Sequence, residues 1–210
     1  MAQWLKLEPI RHQVAIAGRV LNARTNEAMA GALIEIKAAP PAFDQWLAVY
    51  ALQFGAQWNS LLNRPDRTRT APDGHFHFLD LPDGQYTLTA SMPGSGTRLG
   101  TAQAIVAVSR NAQGKLAMAV SDIALPPTTL KGTITGPNAA NVVLAQVRIN
   151  GSGECAYTNG QGQYLLAGLE VGHRIVSVTA QGYQSASQAV TLSTAGGEQT
   201  LNFSLISSTP

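Results

Sequence analysis

The feature that most constrains the fold is an internal repeat. Six positions of the first half, all of them glycine, phenylalanine or leucine, recur at a constant offset of 88 residues. The pairs are Gly74 and Gly162, Phe76 and Tyr164, Phe78 and Leu166, Leu81 and Leu169, Gly84 and Gly172, and Gly94 and Gly182. Because chance rarely keeps six positions in register, the sequence predicts two copies of one structural unit.

Hydrophobic periodicity predicts that each copy is built from β-strands. Residues 14–36 contain two alternating apolar segments joined by a polar connection, and from Thr68 onward short runs of period two end at Pro, Gly or Asp turns. Strands at this spacing are typical of an antiparallel sandwich. Pro126 and Pro127 stiffen the chain between the copies. We therefore expect one domain at 1–126 and a second at 127–210.

The first copy carries an insertion. Ala32-x-Ile34-x-Ile36 matches Ala145-x-Val147-x-Ile149 at an offset of 113 rather than 88, so 25 extra residues lie between Lys37 and Thr70. Apolar side chains recur there at steps of three and four, which predicts one amphipathic helix over 41–63, of about five turns. The stripe consists of Phe43, Trp46, Leu47, Tyr50, Phe54, Trp58, Leu61 and Leu62.

Two interpretations of this helix remain open. An amphipathic helix usually buries its stripe against its own domain, but aromatic side chains also concentrate binding energy where subunits meet. The candidates for docking a partner are Phe43, Trp46, Tyr50, Phe54 and Trp58. Trp4, in the N-terminal arm, is a further candidate, with packing onto its own domain as the alternative.

The segment His75-Phe76-His77-Phe78 allows a metal site or an ordinary strand. Successive side chains of a strand point to opposite faces, so the two phenylalanines share one face and the two histidines the other. The second copy keeps large side chains at the phenylalanine positions, whereas the histidines become Gln163 and Leu165. A zinc site would also need a third ligand, which no neighbouring residue supplies. We expect buried phenylalanines, exposed histidines and no metal.

The first copy also resembles a known family. Gly18-Arg19-Val20, Ala30-Gly31-Ala32-x-Ile34-x-Ile36 and the run from Thr70 through Asp73-Gly74 to Tyr86-x-Leu88-x-Ala90 resemble the carboxypeptidase regulatory-like domain. That domain is a transthyretin-like or prealbumin-like relative of the immunoglobulin sandwich. The resemblance implies an all-β fold of two tandem sandwiches with one inserted helix. It implies no enzyme activity, since the family's catalytic residues belong to a separate peptidase domain. The second copy departs from the pattern at Gln161 and Arg174, which replace Asp73 and Tyr86.

Composition excludes several classes of protein. Charged residues make up 12% of the chain and the net charge is +2, without the clustered Lys and Arg that nucleic-acid binding requires. No apolar run is long enough to span a membrane. Lys6, Glu8 and Arg11 interrupt the N-terminal apolar residues, so we expect no signal peptide. Cys155 is the single cysteine. The expected location is therefore the cytoplasm, including an intracellularly assembled particle.

These observations predict a non-catalytic structural or adaptor protein, without a cofactor, that docks onto other protein subunits of a larger assembly. Chains that look like this one accompany phage-tail-like contractile particles, so the resemblance implies that setting. The alternative is a carbohydrate-binding accessory module, because aromatic side chains on sandwiches provide surfaces for sugar rings. The aromatic candidates for a polysaccharide contact are Trp4, Trp46, Trp58, Tyr157 and Tyr183.

Overall fold

The computed structural model describes residues 12–61 and 64–208 and divides the chain into two compact units. The first unit comprises the residues up to Val20, Ala28–Ala90 and Gln103–Ile123. The second comprises Leu21–Glu27, Ser91–Ala102 and the residues from Ala124 onward. Both units are built from β-sheets, which confirms the predicted all-β class with one inserted helix.

Among the described residues, nine strands and the helix belong to the first copy of the repeat. They are β1 (Val14–Asn22), β2 (Leu33–Ala38), α1 (Pro41–Phe54), β3 (Arg67–Arg69), β4 (His75–Leu79), β5 (Gly84–Ser91), β6 (Ala102–Arg110), β7 (Leu116–Ala117), β8 (Ala119–Val120) and β9 (Ile123–Leu125). One sheet has the order β4-β1-β8, with β9 also beside β1, and the other has the order β3-β2-β5-β6-β7. Between them lie fully buried side chains that include Ile16, Ile34, Tyr86 and Leu88.

The second copy contains eight strands as far as residue 208, where the described part of the chain ends. They are β10 (Thr129–Thr135), β11 (Gln146–Ile149), β12 (Cys155–Tyr157), β13 (Gln163–Ala167), β14 (Gly172–Thr179), β15 (Ala186–Leu192), β16 (Glu198–Thr200) and β17 (Phe203–Ser204). The sheet orders are β13-β10-β16, with β17 also beside β10, and β12-β11-β14-β15. Leu130, Ile134, Val147 and Val176 are fully buried in its core.

The repeated glycines and aromatic residues meet across paired strands. In the first unit Gly18 of β1 lies opposite Phe76 of β4, and in the second Gly132 of β10 lies opposite Tyr164 of β13. An added Cβ would lie 1.9 Å from the Ser121 carbonyl oxygen at Gly18, and 1.9 Å from the Leu201 carbonyl oxygen at Gly132. Only glycine leaves room for that close approach of backbone, and the aromatic ring covers the gap.

The inserted helix is shorter than the sequence predicted. The α-helix ends at Phe54, and residues Gly55–Ser60 continue as a 3₁₀ helix. Gly55 adopts φ 51° and ψ −127°, a conformation that interrupts α-helical hydrogen bonding. The predicted start is confirmed, because Pro41 occupies the first helical turn and Asp44 complements the helix dipole.

Part of the second unit comes from the sequence of the first copy. The segment Ser91–Ala102 is attached through Thr97, whose backbone N–H and hydroxyl both donate to Glu170 Oε2. Arg98 Nε donates to Glu170 Oε1 at 3.1 Å. The Thr97 hydroxyl, followed by its N–H, lowers the pKa of Glu170 below the ordinary value of 4.5. The carboxylate form of Glu170 is therefore the one that holds this segment.

Candidate protein-docking site

The candidate site is the helix α1, which the first unit inserts between β2 and β3. Its first turn is anchored in the core by Phe43, which is 1% exposed and meets Tyr86 edge to face, with ring centroids 5.8 Å apart. Pro40 lies against Gly84, where an added Cβ would be 2.2 Å from Pro40 Cγ. The Tyr86 hydroxyl donates to the Pro82 carbonyl, and burial raises the pKa of Tyr86 to about 12. The start of α1 is thus part of the sandwich.

Beyond that anchor, aromatic rings form a ladder along one side of the helix. Trp46 and Tyr50 stack with centroids 5.4 Å apart and an interplanar angle of 16°. Phe54 lies 5.1 Å from Tyr50 and 6.3 Å from Trp58, again between centroids. The Arg64 guanidinium caps the ladder 4.3 Å above the Trp58 ring. These ring contacts connect α1 to its 3₁₀ extension along one side.

A different side of the helix is apolar and exposed. Val49 is 60% exposed and Leu52 is 81% exposed, and Trp46 beside them is 48% exposed. These three residues, spaced three apart, form what we call the exposed stripe. Phe43 is the one buried residue of α1. Asp44 is the only charged residue between positions 41 and 61. The surface of the helix is therefore apolar or neutral over nearly its whole length.

The structure separates the residues that the sequence grouped as docking candidates. Phe43 is buried in its own unit, so its ring cannot contact a partner. Tyr50, Phe54 and Trp58 belong to the ladder and are partly buried, whereas Trp46 belongs to both the ladder and the exposed stripe. Trp4 lies outside the described residues.

Sequence analysis missed the exposed stripe, although its signal was present. Val49 and Leu52 follow Trp46 at steps of three, but the more numerous aromatic residues of the same helix led to a prediction that considered only the face on which they lie. The ladder also bears on carbohydrate binding, because the stacked Trp46 and Tyr50 rings cover each other's faces. The stack covers one face of each ring, so a sugar ring would have to pack on the opposite face.

The histidines of β4 are arranged as strand residues. His75 and His77 are exposed, and Phe76 and Phe78 between them are buried. Asp73 accepts a hydrogen bond from the His75 N–H at 3.1 Å, and this bond is the main cause of the lowered pKa of Asp73. Across residues 12–61 and 64–208, no group of three or more His, Cys, Asp or Glu side chains is placed to hold a metal ion. Nor does any helix there have the length and apolarity to cross a membrane.

The solved structures that match this chain are distant in sequence. A cohesin–X-dockerin complex from Acetivibrio cellulolyticus is 17% identical and covers 38% of this chain and 57% of that chain, with a TM-score of 0.34. GBS52, the minor pilin of Streptococcus agalactiae, is 16% identical over 93% of this chain and 96% of that chain (TM-score 0.32). The shaft pilin SpaA of Lactobacillus rhamnosus GG is 10% identical over 94% and 96% (TM-score 0.41). The matched region thus spans little more than half of the cohesin–X-dockerin chain.

Family comparison gives a more specific result. No curated protein matches the chain. The family model of the carboxypeptidase regulatory-like domain matches twice, at residues 15–120 and 129–206, which together cover most of the sequence. The two matches coincide with the two copies of the repeat, and the resemblance noted from the sequence is confirmed. The chain therefore belongs to the carboxypeptidase regulatory-like domain family and carries two copies of that domain.

Proposed function

We propose that this protein is a non-catalytic structural or adaptor subunit that docks onto another protein subunit of a larger assembly through the exposed stripe of α1. The observation that carries the proposal is the exposure of Trp46, Val49 and Leu52 on a helix whose one buried residue is Phe43. Fully burying a Val or Leu side chain is worth about 1.5–3 kcal/mol. A partner that covers the stripe gains this energy, which the first unit by itself leaves unused.

The chemistry of the helix favours a protein partner over a lipid surface. Helices that lie on membranes carry Lys and Arg on their polar side, where they meet anionic headgroups. The polar side chains of α1 are Asp44, Gln45 and Gln53, and none is basic. Because the helix offers almost no charge, its partner is expected to present an apolar, uncharged groove.

Comparison of the two copies supports a role for the helix outside the fold. The second copy joins β11 to β12 without any helix, and its core is nevertheless complete. A connection that served only to link two strands would be shorter and more polar. Beyond the anchored first turn, the inserted residues therefore serve a purpose that the sandwich does not require, and docking is the purpose that their exposure fits.

A finer proposal concerns the assembly itself. The partner subunits that we propose are those of a phage-tail-like contractile particle, the setting implied by the family resemblance. Sedimentation of a native lysate in a density gradient tests it directly. The chain should travel with a large particle whose other proteins, identified by mass spectrometry, include tail components. A chain that stays at the top of the gradient as a monomer would contradict the proposal.

The docking helix is tested with a matched pair of variants. Val49→Ser with Leu52→Gln removes the apolar stripe, and Gln45→Ala with Gln53→Ala changes two other exposed positions of the same helix. Both double variants should unfold within about 0.5 kcal/mol of the native protein, as is usual for exposed positions. Only the first should lose co-sedimentation with the particle. Unchanged co-sedimentation, with folding intact, would refute the docking role of α1.

A further inference from the structure

The second unit contains an open groove. Its volume is about 690 Å³, within the range of about 300–1,000 Å³ that is usual for sites of small organic ligands. The floor is the outer face of β10 and β13, where Thr133 and Gln163 lie opposite each other in adjacent strands. Tyr157, Asn159, Asn202 and Arg24 also line it. The groove is thus mainly polar, with one exposed aromatic ring.

Tyr157 supplies the aromatic ring. It is 59% exposed, although it stands in the strand β12, and its hydroxyl accepts a hydrogen bond from Gln146 Nε2 at 3.2 Å. A tyrosine left this exposed on a sheet face keeps most of its ring available to a ligand. The C–H groups of a sugar ring pack favourably on such a ring because its face carries partial negative charge.

The amide side chains around the ring are held by hydrogen bonds and retain N–H donors that these bonds do not use. Asn202 Oδ1 accepts hydrogen bonds from the Thr133 N–H at 2.9 Å and from the Thr133 hydroxyl at 3.2 Å. Asn159 Nδ2 donates to Gln163 Oε1 at 3.2 Å. Among the described residues, no bond engages the NH₂ groups of Asn202 and Gln163. These groups suit a ligand rich in hydroxyl oxygens.

The same sheet face in the first copy has different chemistry. Arg19 and Asp122 replace Thr133 and Asn202: the Arg19 N–H donates to Asp122 Oδ1 at 2.8 Å, and its guanidinium pairs with the same carboxylate. At the offset of 88, Arg69 replaces Tyr157. The backbone arrangement is therefore common to both copies, whereas the exposed ring and the neutral donors are found in the second alone.

Two cations, Arg24 and Lys131, also line the groove. Arg24 lies in a turn fixed by Asn22, whose Oδ1 accepts hydrogen bonds from the backbone N–H groups of Arg24 and Thr25. No salt bridge of Arg24 occurs within the part of the chain that the structure describes, whereas Lys131 in the same groove pairs with Glu198. An unpaired guanidinium favours a ligand that carries a carboxylate in addition to hydroxyl groups.

We propose that this groove is an oligosaccharide-binding site, with Tyr157 as the platform for one sugar ring, Asn202 and Gln163 as donors to hydroxyl oxygens, and Arg24 as the contact to a uronic-acid carboxylate. The site belongs to the second unit and stands independently of the docking helix in the first.

The test is calorimetric titration of the full chain with cellohexaose, chitohexaose and hexagalacturonate at concentrations up to the millimolar range. At least one should bind, with hexagalacturonate tightest. Tyr157→Ala should weaken binding about tenfold or more, a factor that corresponds to about 1.4 kcal/mol. Tyr157→Phe retains the ring and should bind nearly as the native protein does. Arg24→Gln should weaken binding of hexagalacturonate alone.

The matched control is His75→Ala, at the position of the first copy that corresponds to Gln163. His75 is exposed and the groove does not include it, so this variant should bind unchanged. Absence of binding to all three hexasaccharides would overturn the proposal. Unchanged binding of the hexasaccharides by Tyr157→Ala would also overturn it. If binding were then lost only in Arg24→Gln, the groove would be a weak anion site and no oligosaccharide site.

Discussion

Replacing Gly132 by alanine should destabilise the second unit severely. The added Cβ would stand 1.9 Å from the Leu201 carbonyl oxygen and 2.7 Å from the carbonyl carbon, so that peptide would have to move by about 1 Å. The Leu201 carbonyl accepts a hydrogen bond from the Tyr164 hydroxyl at 2.7 Å, and the Leu201 N–H donates to the Lys131 carbonyl at 2.8 Å. The clash therefore strains two hydrogen bonds that join the Leu201 peptide to β10 and β13.

The magnitude follows from these two effects. Overpacking a core usually costs about 1–3 kcal/mol. Weakening two hydrogen bonds adds about 1 kcal/mol for each. We expect Gly132→Ala to lower the free energy of unfolding of the second unit by about 3–5 kcal/mol, which is a large part of the about 5–15 kcal/mol that keeps a typical domain folded. Gly18→Ala should have a similar effect in the first unit, since its Cβ would lie 1.9 Å from the Ser121 carbonyl oxygen.

Two fluorescent probes, one intrinsic and one attached, report on the units separately during urea unfolding. Trp46 and Trp58 lie on the inserted helix and its 3₁₀ extension, and no tryptophan follows them in the sequence, so tryptophan fluorescence reports on the first unit. Cys155 is exposed and is the single cysteine, so a fluorophore attached to it follows the second. Gly132→Ala should shift mainly the Cys155 transition.

The control is Gly160→Ala, because nothing lies within 4 Å of a Cβ added there. It should change the free energy of unfolding by less than about 0.5 kcal/mol. If Gly132→Ala unfolded within about 1 kcal/mol of the native protein, below the usual range for overpacking, the explanation of this glycine by close backbone approach would be refuted.

Replacing both histidines of β4 by alanine should change stability by less than about 0.5 kcal/mol, whereas Phe76→Ala should cost about 3–5 kcal/mol, and urea unfolding followed by tryptophan fluorescence measures both. A stoichiometric metal lost with the histidines would contradict this. Residues 128–210 expressed alone should unfold cooperatively in calorimetry, at a lower midpoint than in the full chain, because the fragment lacks the attached segment Ser91–Ala102; a fragment without a transition would place the domain boundary elsewhere. Because the pKa of Glu170 is lower in the folded protein than the unfolded value of 4.5, its carboxylate contributes stability above pH 4.5, and this stability is lost as the pH falls through the folded pKa. Glu170→Gln should therefore reduce the loss of stability at acid pH that the Cys155 probe reports. The same loss of stability in the variant and the native protein would count against the role of this carboxylate.

The strands could be predicted because their signals are local. The order His75, Phe76, His77, Phe78 predicts that buried and exposed residues alternate in β4, and comparison of the two copies indicated that the phenylalanines face the core. The pairing of a glycine with an aromatic ring was likewise present twice in the sequence, although its reason, a carbonyl oxygen from a distant segment, became visible only with the fold.

The inserted helix could be predicted only in part from the local sequence pattern. Aromatic periodicity continues past Gly55, since Trp58 in the 3₁₀ segment follows Phe54 at a step of four, and this made the α-helix look longer than it is. Which residues of the stripe are buried depends on the shape of the sandwich that the helix meets, and that shape allows only Phe43 to enter the core. The groove beside Tyr157 could not be predicted from the sequence either, because residues from distant parts of the chain form it.

The position of the inserted helix bears on how duplicated domains diverge. It joins β2 to β3 in the first copy, whereas the corresponding strands β11 and β12 are joined by a short connection from Asn150 to Glu154. Because only Phe43 of α1 enters the core, this connection can gain or lose whole elements while the sheets stay the same. After a duplication, one copy can then carry a long connection between these strands while the other carries a short one. For protein engineering, the turn at 150–154 is accordingly the natural place to graft a second recognition element.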